Sequence, residues 1–237
     1  MTEAATASDE VPAELRSRLA LALDVDDRVA ALRLAKELQP WFGVAKVGLE
    51  LFTATGPATL QTLMDLGYEV FLDLKLHDIP NTVNRAAAVV GAYGVKYLTI
   101  HAMGGPTVLK AGVDGFLEGA SRAGLPEPTP LAVTVLTSDD TAPAHILPAR
   151  VKLALETHCG GIICGAPDLP QVRAVAPRLT LVVPGIRMAG TDSHDQARTG
   201  TPAQALADGA DVLVVGRTVT GAPDRPKAAA ELVTSLS

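Results

Sequence analysis

Eight short, strongly apolar runs recur along the chain with helix-like stretches between them, and this alternation limits the possible folds more than any other feature. The runs cover 19–24, 43–48, 69–76, 97–102, 130–137, 161–165, 179–184 and 210–215. Apolar runs of about four to eight residues bounded by turn signals suit strands buried on both faces, as in a parallel sheet covered by helices. The segments between them carry helical signals. Pro40 ends a predicted helix over 27–39, and Gly56-Pro57 opens one that runs to Leu66-Gly67. Further helices are predicted over 81–93, after Gly104-Gly105-Pro106 as far as Ala123, and over 149–157, 167–176 and 227–236. Thr201-Pro202 opens another, with threonine as N-cap and proline in the first turn.

At 237 residues, eight βα units in one α/β domain fit a parallel eight-stranded (β/α)8 TIM barrel better than an open doubly wound sheet, which is the alternative. No linker divides the chain, so one barrel domain over 15–237 is expected after a loosely ordered tail over 1–14. The tail lacks the basic and apolar regions of a secretory signal, and no apolar run reaches the length of a membrane span. A cytoplasmic protein with no membrane partner is expected. The net charge of −6 offers no electrostatic case for nucleic acid or an anionic membrane. An anionic ligand would therefore rely on a few local cations and backbone amides. Cys159 and Cys164 have neither zinc nor redox spacing and read as buried free thiols in a reducing compartment.

One predicted strand has its charges on the wrong face. In Phe71-Leu72-Asp73-Leu74-Lys75-Leu76-His77-Asp78-Ile79-Pro80-Asn81-Thr82, alternation puts the three leucines on one side and Phe71, Asp73, Lys75 and His77 on the other. Asp73 and Lys75 lie roughly 6.5 Å apart along a strand, two rises, so their side chains can meet. A salt bridge on a solvated edge is the plainer reading. The flanking leucines demand cover, however, and Pro-Asn-Thr reads as a turn into a helix, which favours a site at the end of a buried strand.

In a TIM barrel the site lies at the C-terminal ends of the strands. Those ends carry Asp24, Lys46, Asp73 with Lys75, His101, Thr137 with Ser138, Pro184-Gly185-Ile186-Arg187 and Gly216-Arg217. Each has a structural explanation by itself: Asp24 can cap a helix, and a lone histidine such as His101 is more often a hydrogen-bonded core residue. Charged residues aligned at the same end of at least four strands point to a site. The loops after the seventh and eighth strands, with Arg187, Gln196, Gly216 and Arg217, are where such barrels often hold phosphate. A phosphorylated small molecule, with Asp24, Lys46, Asp73 and Lys75 around its reactive end, is the reading from the residues alone.

From about Leu19 to Val219 the chain resembles the orotidine 5′-phosphate decarboxylase family, whose activity is the last step of de novo UMP synthesis. The resemblance rests on Leu23-Asp24, Lys46-Val47-Gly48, the whole motif from Phe71 to Thr82, Val133-Thr134-Val135-Leu136-Thr137-Ser138, Pro184-Gly185-Ile186-Arg187 and Val215-Gly216-Arg217. It implies loss of CO2 from C6 of the pyrimidine with no cofactor and no metal. It makes Lys75 the proton donor to the C6 carbanion and puts Asp73 near the departing carboxylate. It also implies a homodimer in which Asp78 comes from the other subunit and Ile79 and Thr82 line the site across the interface. Lys46 would link the charged network to the ribose, which Asp24 also contacts. Thr137 would lie by the pyrimidine, Pro184 would be a further substrate-binding residue, and Arg187, Gln196, Gly216 and Arg217 would belong to the phosphate end. Phosphate binding would close the polar loop over 185–200. No role is implied for His77.

Two rivals remain at this stage. Mg²⁺-dependent sugar-phosphate decarboxylases or hexulose-phosphate aldolases of the same barrel share the Asp-x-Lys-x-x-Asp pattern but carry a glutamate where this chain has Lys46. A lysine there repels a cation. The other rival is a non-catalytic phosphate-binding barrel, which would be expected to have lost one of Asp24, Lys46, Asp73, Lys75 or Asp78.

Overall fold

Each apolar run predicted as a strand coincides in whole or in part with one. In the computed structural model, which describes residues 11–139, 141–188 and 199–236, the strands are β1 (Leu19–Ala22), β2 (Val44–Gly48), β3 (Glu69–Leu76), β4 (Tyr97–His101), β5 (Thr129–Val133), β6 (Gly161–Ile163), β7 (Thr180–Val183) and β8 (Val212–Val215). They pair in parallel in chain order, and β8 closes on β1 with Leu19 opposite Leu213. The architecture is a closed (β/α)8 barrel, as the alternation predicts.

Helices α1 (Ala13–Ser17), α2 (Arg28–Leu38), α3 (Leu49–Thr55), α4 (Ala58–Asp65), α5 (Pro80–Ala92) and α6 (Gly105–Arg122) belong to the first half. The second half has α7 (Ile146–Glu156), α8 (Leu169–Val175), α9 (Pro202–Ala207), α10 (Arg217–Thr220) and α11 (Arg225–Thr234). Helix α1 begins at Ala13, inside the segment expected to be a loose tail, and residues 1–10 lie outside the described residues.

Two departures from the predicted elements have physical causes. Several strands stop early: β1 ends at Ala22 and β5 at Val133, while Leu23 and Val135 beyond them stay buried. Hydrophobicity continues past the last paired residue, so an apolar run overstates strand length. Helix α3 was not expected. Gly56, at φ +64°, ends it by giving its N–H to Phe52 O, and thereby divides one helical stretch into α3 and α4.

The pleat separates two apolar layers. Ala20, Ala22, Val44, Phe71, Tyr97, Leu131, Val133, Ile163, Val182, Val212 and Val214 fill the barrel, with Phe71 and Tyr97 edge to face at 5.9 Å. The alternate residues, among them Leu19, Leu21, Ala45, Leu72, Leu98 and Ile100, pack outward against the helices. Beside β3 and β4 that packing is tight. A Cβ on Gly119 of α6 would lie 2.0 Å from the Ala88 carbonyl oxygen of α5, and one on Gly115 would lie 2.2 Å from that of Asn84. Cys159 and Cys164 are both buried, and burial raises the Cys159 thiol to about 12.

Candidate active site

The apolar filling of the barrel stops short of its C-terminal mouth. Above Ala22, Phe71, Val133, Ile163 and Val214 opens a cavity of about 470 Å³. Its polar walls are supplied by Asp24, Lys46, Asp73, Lys75, Thr137, Arg187 and Arg217, with Pro184 and Gly216 beside the arginines. These nine residues, expected at the site, come from six different strands or the loops that follow them, and only closure of the barrel brings them together.

Lys46 is almost fully buried on β2 and gives its ammonium to Asp24 Oδ1 at 2.7 Å. An ammonium in such a place needs a partner, and Asp24, more open to solvent, supplies one. A Cβ on Gly48 would lie 3.4 Å from Lys46 Nζ and 3.6 Å from Asp24 Oδ1, so the bare backbone there leaves room for the pair.

The second pair lies on β3. Lys75 Nζ reaches Asp73 Oδ1 at 2.9 Å and Oδ2 at 2.8 Å, so the reading of an ion pair between them holds. Simple alternation does not describe how they meet. Leu72 pairs with Leu98 and Leu76 with Ile100, so three β3 residues stand opposite Thr99. Within that slip Lys75 adopts φ +50°, a left-handed conformation that costs a residue with a Cβ about 1–2 kcal/mol. The register with β2 stays regular, Gly48 opposite Asp73, so the distortion is on the β4 side. Thr99, which sequence reasoning missed, sits at the slip and bonds to both Lys75 N and Asp73. Its signal was a single hydroxyl on the inward parity of an apolar run.

The β7–β8 side carries the two arginines. Ile186 bridges to Gly200, Arg187 N–H donates to Gly200 O at 3.0 Å, and Thr218 Oγ1 donates to Ile186 O at 2.9 Å. These bonds tie the base of the loop after β7 to α10, which begins at Arg217 directly after β8. Gln196 and the centre of the 185–200 loop lie outside the described residues.

Three expected site residues do not line the cavity. Asp78, Ile79 and Thr82 are exposed at the start of α5, and Asp78 Oδ1 accepts the Ile79 N–H at 2.6 Å. His77, which alternation puts on the inward face, is exposed just past the end of β3, with its ring 5.9 Å from that of His101, and it is not among the residues lining the cavity. His101 Nδ1 accepts the Met103 N–H at 3.2 Å, the bonded structural role expected of it. Among the described residues no group of three His, Cys, Asp or Glu is placed to hold a metal ion.

The profile of the family described as "Orotidine 5'-phosphate decarboxylase / HUMPS family" matches residues 17–233. The chain belongs to this family. The match takes in every barrel strand, both ion pairs and both arginines. Orotidine 5′-phosphate decarboxylase of Anaeromyxobacter sp. (strain K) is 46% identical over 227 residues, 91% of this chain and 96% of that protein. The enzyme of the same name from Paramagnetospirillum magneticum is 43% identical over 91% of this chain and 97% of its own length. The crystal structure of orotidine 5′-phosphate decarboxylase from Lactobacillus acidophilus superposes with a TM-score of 0.79 at 31% identity, covering 93% of this chain and 99% of that one. Family membership thus extends over the whole barrel, and the cavity just described is the place at which to look for its chemistry.

Proposed function

We propose that this protein decarboxylates orotidine 5′-phosphate to UMP and CO2, in the cavity at the barrel mouth. The observation that carries this reading is the division of that cavity. Two ammonium–carboxylate pairs, Lys46–Asp24 and Lys75–Asp73, lie on the β1–β3 side, and Arg187 and Arg217 lie on the β7–β8 side. A nucleoside monophosphate with a reactive base has the matching division of charge. Curated relatives more than 40% identical over nine-tenths of the chain carry the name of that activity.

The arginines and neighbouring glycine amides hold the phosphate. Asp24 and Lys46 hold the ribose, and Thr137 and Pro184 flank the base. Cleavage of the C6–carboxylate bond releases CO2 and leaves the electron pair on C6. The Lys75 ammonium stabilises that charge electrostatically and passes its proton to C6, giving UMP. The amine is then reprotonated from solvent. The phosphate is remote from the bond that breaks, so its binding energy serves to position the base.

No metal or organic cofactor takes part in this reading. Where the Mg²⁺-dependent relatives need a carboxylate, the Lys46 ammonium stands 2.7 Å from Asp24, and a cation there would meet a like charge. The working unit is a homodimer in the cytoplasm, with Asp78, Ile79 and Thr82 entering the partner's cavity. Exposed apolar side chains just after three adjacent strands support such an interface: Leu49 is 57% exposed, Ile79 65% and Met103 59%.

Purified protein should convert orotidine 5′-phosphate to UMP in the presence of a chelator, followed by the change in ultraviolet absorbance. Lys75→Ala should reduce kcat by at least ~10³-fold while the circular dichroism spectrum stays that of the folded chain. No turnover by folded wild-type protein would sink the assignment, and loss of activity with chelator would return it to the metal-dependent branch.

A further inference from the structure

Thr99 is fully buried in the middle of β4 and is not part of the cavity wall. Its sequence neighbours Leu98 and Ile100 both face the outer core, which leaves the hydroxyl on the barrel side of the sheet. A buried hydroxyl is costly unless bonded, and this one is bonded twice. Thr99 Oγ1 accepts the backbone N–H of Lys75 at 2.8 Å and donates to Asp73 Oδ1 at 2.9 Å. The direction of both bonds follows from chemistry, because an ionised carboxylate only accepts and an amide N–H only donates.

Both bonds fall inside the slip between β3 and β4, where Leu72 faces Leu98 and Leu76 faces Ile100. Here Lys75 holds φ +50° without being glycine, a conformation that persists only where the surroundings impose it. The contacts close a ring: the Thr99 hydroxyl holds the Lys75 backbone, the Lys75 ammonium returns to Asp73, and Asp73 Oδ1 returns to the same hydroxyl. One oxygen atom thus restrains both ends of the lysine's reach.

We propose that Thr99 is a positioning residue for the decarboxylation: it holds the Lys75 backbone and the Asp73 carboxylate together, so that the ammonium is aimed at C6 of the bound pyrimidine. The proposal rests on the function proposed above. It assigns Thr99 no contact with substrate, so its loss should alter the chemical step and not the affinity.

Thr99→Val keeps the shape and removes the hydroxyl, while Thr99→Ser keeps the hydroxyl. For the valine variant kcat should fall about 10–100-fold, the range expected for misplacing a reacting group by an ångström or so. Its KM and its affinity for UMP should stay within about threefold of wild type, since the ligand-binding residues are untouched. Serine should bring kcat back to within about threefold of wild type, because it restores both bonds. If valine does not fold, Thr99→Cys, whose thiol fills the space but bonds weakly, takes its place with the same expected split. A hydroxyl that served only the scaffold would lower Tm and leave kcat of the folded variant unchanged, and that result overturns the proposal. An equal loss of kcat with serine also overturns it. An inactive wild-type protein assayed alongside would instead count against the decarboxylase reading itself.

Discussion

Lys75 shows how much local conformation a single functional side chain can require. Glycine would take φ +50° at no steric cost, but glycine brings no ammonium. The cost of the left-handed backbone is offset by the bonds that Lys75 makes to Asp73 and Thr99. Nearby, His101 is held below the ordinary histidine value of 6.5, first by burial and then by Arg150, His77 and Lys75. Arg150 is itself anchored on the Thr134 carbonyl. The sign of the pH effect follows. Well above pH 6.5 His101 is neutral in both folded and unfolded chains and contributes no slope. Below it the unfolded chain binds the proton more readily, so this residue makes stability fall as pH falls toward the folded value. His101→Asn retains an acceptor for the Met103 N–H but cannot titrate in this range. Its Tm should therefore drop less than that of wild type between pH 7.5 and 5.5, by thermal melts in matched buffers. Equal drops would show that His101 does not carry the slope.

At the level of elements, the contact between α5 and α6 holds the part of the barrel that carries the unusual strand. Helix α5 follows β3, and α6 follows β4, the strand that bears Thr99. The two helices approach through glycines, and Gly119 leaves no room for a methyl group, which would meet the Ala88 carbonyl at 2.0 Å. The obstacle is backbone and not a flexible side chain, so the helices must separate. Gly119→Ala should therefore destabilise the chain by about 1–3 kcal/mol despite alanine's better helix propensity, lowering Tm by roughly 3–10 °C. A calorimetric Tm equal to or above wild type would contradict the packing described. This scale also marks where sequence patterning fails. The apolar runs locate every strand, but the slip between β3 and β4 depends on which β4 residue meets which β3 residue, and hydrophobicity does not encode that register.

At the level of the whole molecule, Asp78 belongs to the longest motif in the chain yet lies outside the cavity on an exposed loop. In the proposed dimer it completes the partner's site, so each site needs Lys75 from one subunit and Asp78 from the other. Lys75→Ala and Asp78→Ala homodimers should each be nearly inactive. Mixing them with subunit exchange should restore activity, because a mixed dimer has one site with both residues intact. At equal concentrations and random exchange, half of the dimers are mixed, so about a quarter of the wild-type sites return. Sedimentation with a tagged subunit would establish exchange, and no recovery after proven exchange would remove Asp78 from the shared site.

The sequence alone determined the barrel, through short apolar runs that need cover on both faces and helical stretches long enough to provide it. It also determined most of the cavity's polar wall, because polar and charged residues recur at the same end of successive apolar strands, where each structural explanation would have to hold separately. Asp24, Lys46, Asp73, Lys75, Thr137, Arg187 and Arg217 were legible for that reason. Tertiary structure decided what depends on neighbours distant in the chain. It paired Lys46 with Asp24, set the His77 ring beside that of His101, and set Thr99 against Lys75 across the β3–β4 slip. A single threonine in an apolar run is unremarkable by composition. Its role appears only when barrel closure and strand register bring its hydroxyl within hydrogen-bonding distance of both Asp73 and Lys75.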